Sequence, residues 1–139
     1  MRFTQKAVFI AAMFLLASVV YSQGRDTLYF CREYKNGEEI GLSNTFAIPP
    51  GGDSITVMVK TKGPVNERHV SIAVDKFQSG AYTHIGTHKF DIEPGWDYIF
   101  FDGINFWSEG FYTVSLLREN GDPIAFGNVT MVLLNEKPK

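Results

Sequence analysis

Cysteine is almost absent from this 139-residue chain, in which Cys31 is the single one. One cysteine cannot form an intramolecular disulfide, so the fold has to be stabilised by its apolar core. Cys31 follows Phe30 in a stretch typical of a strand, which predicts a buried small hydrophobe, with an intermolecular disulfide as the alternative. Cys31 also lies too far behind the first apolar run to carry the lipid of a lipoprotein.

Positive charge is scarce as well. The whole chain has 13 Lys and Arg against 15 Asp and Glu, a formal net charge of −2. Arg2 and Lys6 belong to the N-terminal segment that is predicted below to be cleaved. Without them, 11 basic side chains remain against the same 15 acidic ones, a formal charge of −4. Because no basic stripe is left to neutralise a phosphate backbone, nucleic acid is excluded as an expected partner.

Long hydrophobic runs are confined to the N-terminus, where Arg2 and Lys6 precede the apolar stretch from Ala7 to Val20. Its roughly 14 residues would span about 21 Å as a helix, short of the roughly 30 Å hydrocarbon core of a membrane. The pattern predicts a signal peptide cleaved after Ser22, with an uncleaved anchor as the alternative.

The expected organisation has three parts. Residues 1–22 are a cleavable signal peptide, residues 23–134 a single domain, and residues 135–139 a polar C-terminal tail. The mature protein is then secreted or periplasmic and has no membrane span.

Helical periodicity is missing from the mature chain, and alternation of apolar and polar side chains takes its place. It is clearest from Ser54 to Lys62. Asn36-Gly37 suits a two-residue hairpin turn. A second hairpin is predicted where Phe111–Arg118 and Ile124–Leu134 flank the turn Asn120–Pro123. Short strands with regular turns predict an all-β domain, a small antiparallel β-sandwich of seven to eight strands, with a small β-barrel as the alternative.

One segment resembles a known family. Ser108–Val114 reads Ser-Glu-Gly-Phe-Tyr-Thr-Val and is similar to the entry of the penultimate strand in immunoglobulin-like and fibronectin type III domains. The resemblance covers the final hairpin only. It implies an immunoglobulin-like sandwich in which Tyr112 hydrogen-bonds back to the preceding corner and Trp96 is the core tryptophan of a middle strand.

The histidines do not predict a metal site. His84 and His88 have the four-residue spacing that binds zinc on a helix, but they fall in a predicted strand. Four residues of strand span roughly 13 Å, too far for one ion, unless a bulge at Gly86 changes the geometry.

Catalytic and cofactor motifs are missing too. There is no Gly-x-Ser-x-Gly and no phosphate-binding loop, so no catalytic residue and no cofactor are predicted. A pair of carboxylates across a cleft is conceivable by residue type alone, from Asp91, Glu93, Asp97 and Asp102.

Aromatic side chains are the feature that suggests a function. Trp96, Tyr98 and Phe100 alternate onto one face of a predicted strand, and Trp107 follows closely. If the row is exposed, it can bind a sugar ring or a protein partner. If it is buried, it belongs to the hydrophobic core, which a domain without disulfides needs for its stability. The other face, with Ile99 and Phe101, is also apolar, so the strand is expected to be covered on both sides.

These observations favour an exported, non-catalytic binding module of the cell envelope or extracellular space, with an envelope protein or glycan as partner. Its predicted contacts are Trp96, Tyr98, Phe100 and Trp107. The alternative is a small-ligand carrier or hydrolase with a cleft near Asp91–Asp102. A third possibility is a structural subunit that adds a strand to a neighbour.

Overall fold

The structure, a computed structural model, describes residues 26–134. The predicted signal peptide and the polar tail lie outside these residues. The described chain is all-β, as predicted, but has ten strands rather than seven to eight. They are β1 (Thr27–Cys31), β2 (Glu33–Lys35), β3 (Glu38–Ile40), β4 (Thr45–Ile48), β5 (Asp53–Lys60), β6 (His69–Gln78), β7 (Ala81–Asp91), β8 (Tyr98–Phe106), β9 (Gly110–Leu117) and β10 (Pro123–Leu133).

The strands form three separate sheets rather than one closed sheet. A three-stranded sheet has the order β1-β5-β8, a five-stranded sheet has the order β4-β10-β9-β6-β7, and β2 and β3 form a small hairpin. All pairs are antiparallel except β4 and β10, which run parallel. The two larger sheets therefore provide two apolar faces that can be buried against each other.

The core lies between these two faces, and the alternation along the strands explains it. Successive side chains of a strand point to opposite faces, so every second residue of β5 and β9 enters the core. Burying each large apolar side chain contributes about 1.5–3 kcal/mol, so this shared layer is the main source of stability. The buried residues of the two strands are Ile55, Val57, Val59, Tyr112, Val114 and Leu116.

Gly127 brings the two sheets close together. A Cβ atom at this position of β10 would lie 2.6 Å from the backbone oxygen of Leu28 in β1. It would also lie 3.2 Å from the ring of Phe30. Only a residue without a side chain permits this approach, which seats β1 of one sheet beside β10 of the other.

The β2–β3 hairpin covers the outer face of the three-stranded sheet. Its turn is the predicted Asn36-Gly37, whose φ angles of 53° and 78° are those that a two-residue hairpin loop needs. β2 lies against β5 and β8. Cys31, Thr56 and Met58 point away from the main core but are buried all the same. The three-stranded sheet is therefore partly covered on its second face, which explains its lack of a polar side.

β8 runs through Asp102-Gly103, a dipeptide typical of a turn, without ending there. Ile55 pairs with Ile104 and Val57 pairs with Phe101, so two residues of β8 face one residue of β5. Gly103 has a φ of 72° at this irregularity. The dipeptide forms a β-bulge, and the strand continues to Phe106.

The corner expected at Tyr112 is present. Its ring is buried against Phe106 at a centroid distance of 4.9 Å, and its hydroxyl donates to the backbone oxygen of Ser108 at 2.5 Å. Lys76 Nζ donates to Ser108 Oγ at 2.8 Å and lies 5.6 Å from the Tyr112 ring centroid. These contacts fix the loop before β9 to β6.

Candidate binding surface

The four predicted contact residues all lie on the surface. Tyr98 and Phe100 project from the outer face of β8 and are 40% and 45% exposed, whereas Trp96 and Trp107 are 46% and 67% exposed. The interpretation of Trp96 as a core tryptophan is therefore wrong. Trp96 does not lie in a middle strand but in the loop before β8. Its backbone N–H donates to the backbone oxygen of Glu93, and its backbone oxygen accepts from Val65 N.

The four residues do not form one row. Trp96 comes before β8 and Trp107 after it, so the nine residues of this strand separate them by about 30 Å at about 3.3 Å per residue. Trp107 packs at the other end, where its Cα would be 2.8 Å from a Cβ on Gly52. Tyr98 and Phe100, two residues apart on the outer face of β8, share a surface.

A third ring joins these two from the hairpin. Tyr34 of β2 lies 4.5 Å from the Phe100 ring centroid and 6.0 Å, edge-on, from that of Tyr98. We call Tyr34, Tyr98 and Phe100 the aromatic platform. Tyr34 was not among the predicted contacts, because only the folding of the hairpin over β8 brings it to residues more than sixty positions away.

A carboxylate and an ammonium group hold Tyr98 of the platform and the neighbouring Tyr29. Glu39 of β3 accepts hydrogen bonds from the hydroxyls of Tyr29 and, at 2.5 Å, of Tyr98. Lys60 Nζ lies 5.4 Å from the Tyr98 ring centroid and 5.9 Å from that of Tyr29, within the range of a cation–π contact. The Tyr98 ring is therefore held by polar contacts as well as by packing, whereas Tyr34 and Phe100 are held by ring contacts.

The network shifts the pKa values of its members. Partial burial raises the pKa of Glu39, but the hydrogen bonds from Tyr29 and Tyr98 and the charge of Lys60 outweigh it and lower that pKa below its ordinary 4.5. Burial and then the bond to Glu39 raise the pKa of Tyr29 well above its ordinary 10.0. The bond to Glu39 and then desolvation raise the pKa of Tyr98 in the same direction.

These shifts predict an alkaline loss of stability. The folded state holds the Tyr29 proton more tightly than the unfolded state. The stabilisation is therefore complete below pH 10 and is lost as the pH rises toward the folded-state pKa. We expect the free energy of unfolding to fall above pH 10 by at most about 1.4 kcal/mol per pH unit from Tyr29, less after solvent screening. Urea unfolding at pH 7 to 11 measures it.

The matched variants for this measurement are Tyr29→Phe and Tyr82→Phe. Tyr29→Phe removes the titrating hydroxyl and should make the decline above pH 10 shallower. Tyr82→Phe removes a hydroxyl that bonds to no carboxylate among residues 26–134, and it should leave the decline unchanged. Equal slopes for Tyr29→Phe and the wild-type chain would contradict the assignment.

A bulge in β7 places His84 and His88 on opposite faces of the sheet, so it does not bring them together. The β6–β7 pairing shifts so that Asp75 faces His84 while Ile72 faces His88. His84 Nδ1 lies 2.8 Å from Asp75 Oδ1 on the outer face, whereas His88 shares the inner face with the buried Ile72. In the part of the chain that the structure describes, no three His, Cys, Asp or Glu side chains are grouped to hold a metal.

Two of the four carboxylates considered for hydrolysis have separate structural partners. Asp102 accepts a hydrogen bond from Thr56 at 2.9 Å, and Asp91 lies 2.8 Å from His69 Nδ1. Two clefts of about 530 and 440 Å³ lie elsewhere, and none of the four acids lines them. The geometry around these acids therefore gives no support to a cleft near Asp91–Asp102.

Neither a protein-family model nor a curated protein matches this chain. Between residues 26 and 134 there is no helix with the length and hydropathy to cross a membrane.

Proposed function

We propose that this chain is an exported, non-catalytic binding module with an immunoglobulin-like β-sandwich fold. Three features support the architecture: the pairing of the strands into a three-stranded and a five-stranded sheet, the parallel contact of β4 with the last strand, and the Tyr112 corner. Architecture carries no function by itself, so the functional part of the proposal depends on the surface.

The exposed aromatic platform is the observation that carries the proposal. Three rings lie together on one outer face, although an apolar core to bury such rings is available in the same domain. Glu39 and Lys60 hold the Tyr98 ring, and Tyr34 packs against both Tyr98 and Phe100, so a partner would meet a preorganised surface and lose little side-chain entropy on binding. Aromatic side chains with these properties are typical centres of binding energy. The partner is a protein or glycan of the envelope.

Replacement of Phe100 by alanine tests the proposal. Phe100 is 45% exposed, so its removal should leave the fold intact but weaken binding at least tenfold. The mature chain and the variant are immobilised, and retention of envelope proteins and of arrayed glycans is compared after equal folding has been checked by thermal unfolding.

Phe126→Ala is the matched control, because Phe126 is an exposed aromatic of the five-stranded sheet at 65% exposure. It should leave retention unchanged. Trp96→Ala and Trp107→Ala show whether the outlying tryptophans contribute. Should all platform and tryptophan variants fold and retain the same material as the wild-type chain, the proposal is wrong.

A further inference from the structure

The outer face of the five-stranded sheet carries a second aromatic surface, remote in the chain from the platform. Phe77 at the end of β6 pairs with Tyr82 at the start of β7, and their rings meet at 5.2 Å in an edge-on contact. Phe111 at the start of β9 is adjacent, because Tyr112 pairs with Lys76. Phe77, Tyr82 and Phe111 are all exposed. They form the wall of a cleft of about 440 Å³.

A second cleft borders the first. It has a volume of about 530 Å³, lies along β1 and is lined by Tyr29 and Leu42 among others. Both clefts are lined by Asn44 and Asn128, so they meet at these two residues. We call the combined feature the asparagine groove. Each half falls within the about 300–1,000 Å³ of sites for small molecules.

The two asparagines at the junction offer hydrogen bonds. Asn128 Oδ1 accepts from Thr113 Oγ1 at 2.8 Å, which leaves the Asn128 amide nitrogen free to donate outward. Asn44 is placed beside it because its backbone oxygen accepts from Thr130 N at 2.9 Å. Among residues 26–134, the Asn44 side chain and the Asn128 amide nitrogen have no hydrogen-bond partner.

Charge narrows the class of ligand. Not one lysine, arginine, aspartate or glutamate lines either cleft within the described chain. An anionic or cationic ligand would lose its hydration there without gaining a counter-charge. A purely apolar ligand would leave the amides of Asn44 and Asn128 desolvated and unpaired. The groove therefore suits a neutral molecule that combines flat apolar faces with many hydroxyls.

We propose that the asparagine groove binds a neutral oligosaccharide. The C–H face of a sugar ring stacks on Phe111 and Tyr82, and the hydroxyls at the ring edge bond to the amides of Asn44 and Asn128. Two joined clefts accommodate consecutive sugar units, so the ligand is a chain rather than a monosaccharide. The groove shares none of the three platform residues, although its Tyr29 donates to Glu39 of the adjoining network, and the proposal does not depend on the function proposed for the platform.

Calorimetric titration of the mature chain with four neutral hexasaccharides tests the proposal: cellohexaose, maltohexaose, mannohexaose and xylohexaose. At least one should bind with a dissociation constant between micromolar and low millimolar. Phe111→Ala and Asn128→Ala should each weaken that binding at least tenfold. Phe111 is 60% exposed, so its variant should remain folded; Tyr82→Ala replaces it if thermal unfolding shows otherwise.

Two variants serve as controls and separate this site from the platform. Phe126→Ala removes an exposed aromatic of the same sheet that does not line the groove, and Phe100→Ala removes one ring of the platform. Neither should change the affinity for the sugar. Loss of sugar binding in Phe100→Ala but not in Phe111→Ala would move the site to the platform and overturn the proposal.

Two further results would also overturn it. One is the failure of all four hexasaccharides to bind the folded chain at millimolar concentration. The other is an envelope protein whose binding Phe111→Ala abolishes while no sugar binds, since the groove would then be a protein-binding surface.

Discussion

Replacement of Tyr112 by alanine is expected to lower the free energy of unfolding by about 3–5 kcal/mol. The ring is buried in the core, where it packs edge-on against Phe106, and the hydroxyl bonds to the backbone of Ser108. The variant creates a cavity and releases the loop that Lys76 and Ser108 hold to the ring. Such a loss is a large part of the 5–15 kcal/mol that stabilises a typical domain.

Urea unfolding gives the magnitude, and Tyr112→Phe separates the two contributions. Phenylalanine keeps the ring but removes the bond to Ser108, so it should cost only about 1–1.5 kcal/mol. In thermal unfolding, 1 kcal/mol corresponds to roughly 4 °C for a domain of this size. If the two variants were equally destabilised, the corner bond rather than the packing of the ring would dominate.

Replacement of Gly127 by alanine is expected to cost about 2–3 kcal/mol, although alanine adds only one methyl group. That methyl would meet the Leu28 backbone oxygen at 2.6 Å, and a backbone atom cannot rotate away as a side chain can. β1 would have to move from β10, and with it the buried side chains of Leu28 and Phe30.

Gly86→Ala is the matched control for this prediction. Gly86 is also a strand glycine without a positive φ, but a Cβ there would have no atom within 4 Å. Alanine at position 86 should be neutral or stabilise the domain by about 0.5 kcal/mol. If Gly127→Ala and Gly86→Ala changed the free energy of unfolding equally, the loss of glycine rather than the close approach of β1 would explain the change.

Local patterns predicted the parts of the fold that depend on local chemistry. Asn36-Gly37 predicted a hairpin because both residues tolerate positive φ, and both have it. Alternation over Ser54–Lys62 predicted the core face of β5, with Ile55, Val57 and Val59, but not the burial of Thr56 and Met58 on its other face. The final hairpin has almost the predicted bounds. The Tyr112 bond was implied by the resemblance to immunoglobulin-like domains, and it is present.

Features that depend on distant contacts were not predictable. The aromatic row could have been core or surface, because exposure depends on where the β2–β3 hairpin comes to lie. The hairpin covers Met58 completely but leaves Phe100 about half exposed. The bulge that turns His84 and His88 to opposite faces depends on the pairing with β6. The parallel contact of β4 with β10 joins residues more than eighty positions apart.

The hairpin that buries Cys31 also makes this residue a reporter of its motion. The thiol is fully buried, and burial, then the charges of Glu39 and Asp102, raise its pKa, so the closed protein offers little thiolate to a thiol reagent. The reagent reacts when the hairpin lifts or the domain unfolds. Tyr34 and Glu39 leave the surface with the hairpin. The labelling rate of Cys31 therefore also measures how often the hairpin, and with it part of the aromatic platform, moves away from β8. A partner bound to the platform would lower that labelling rate.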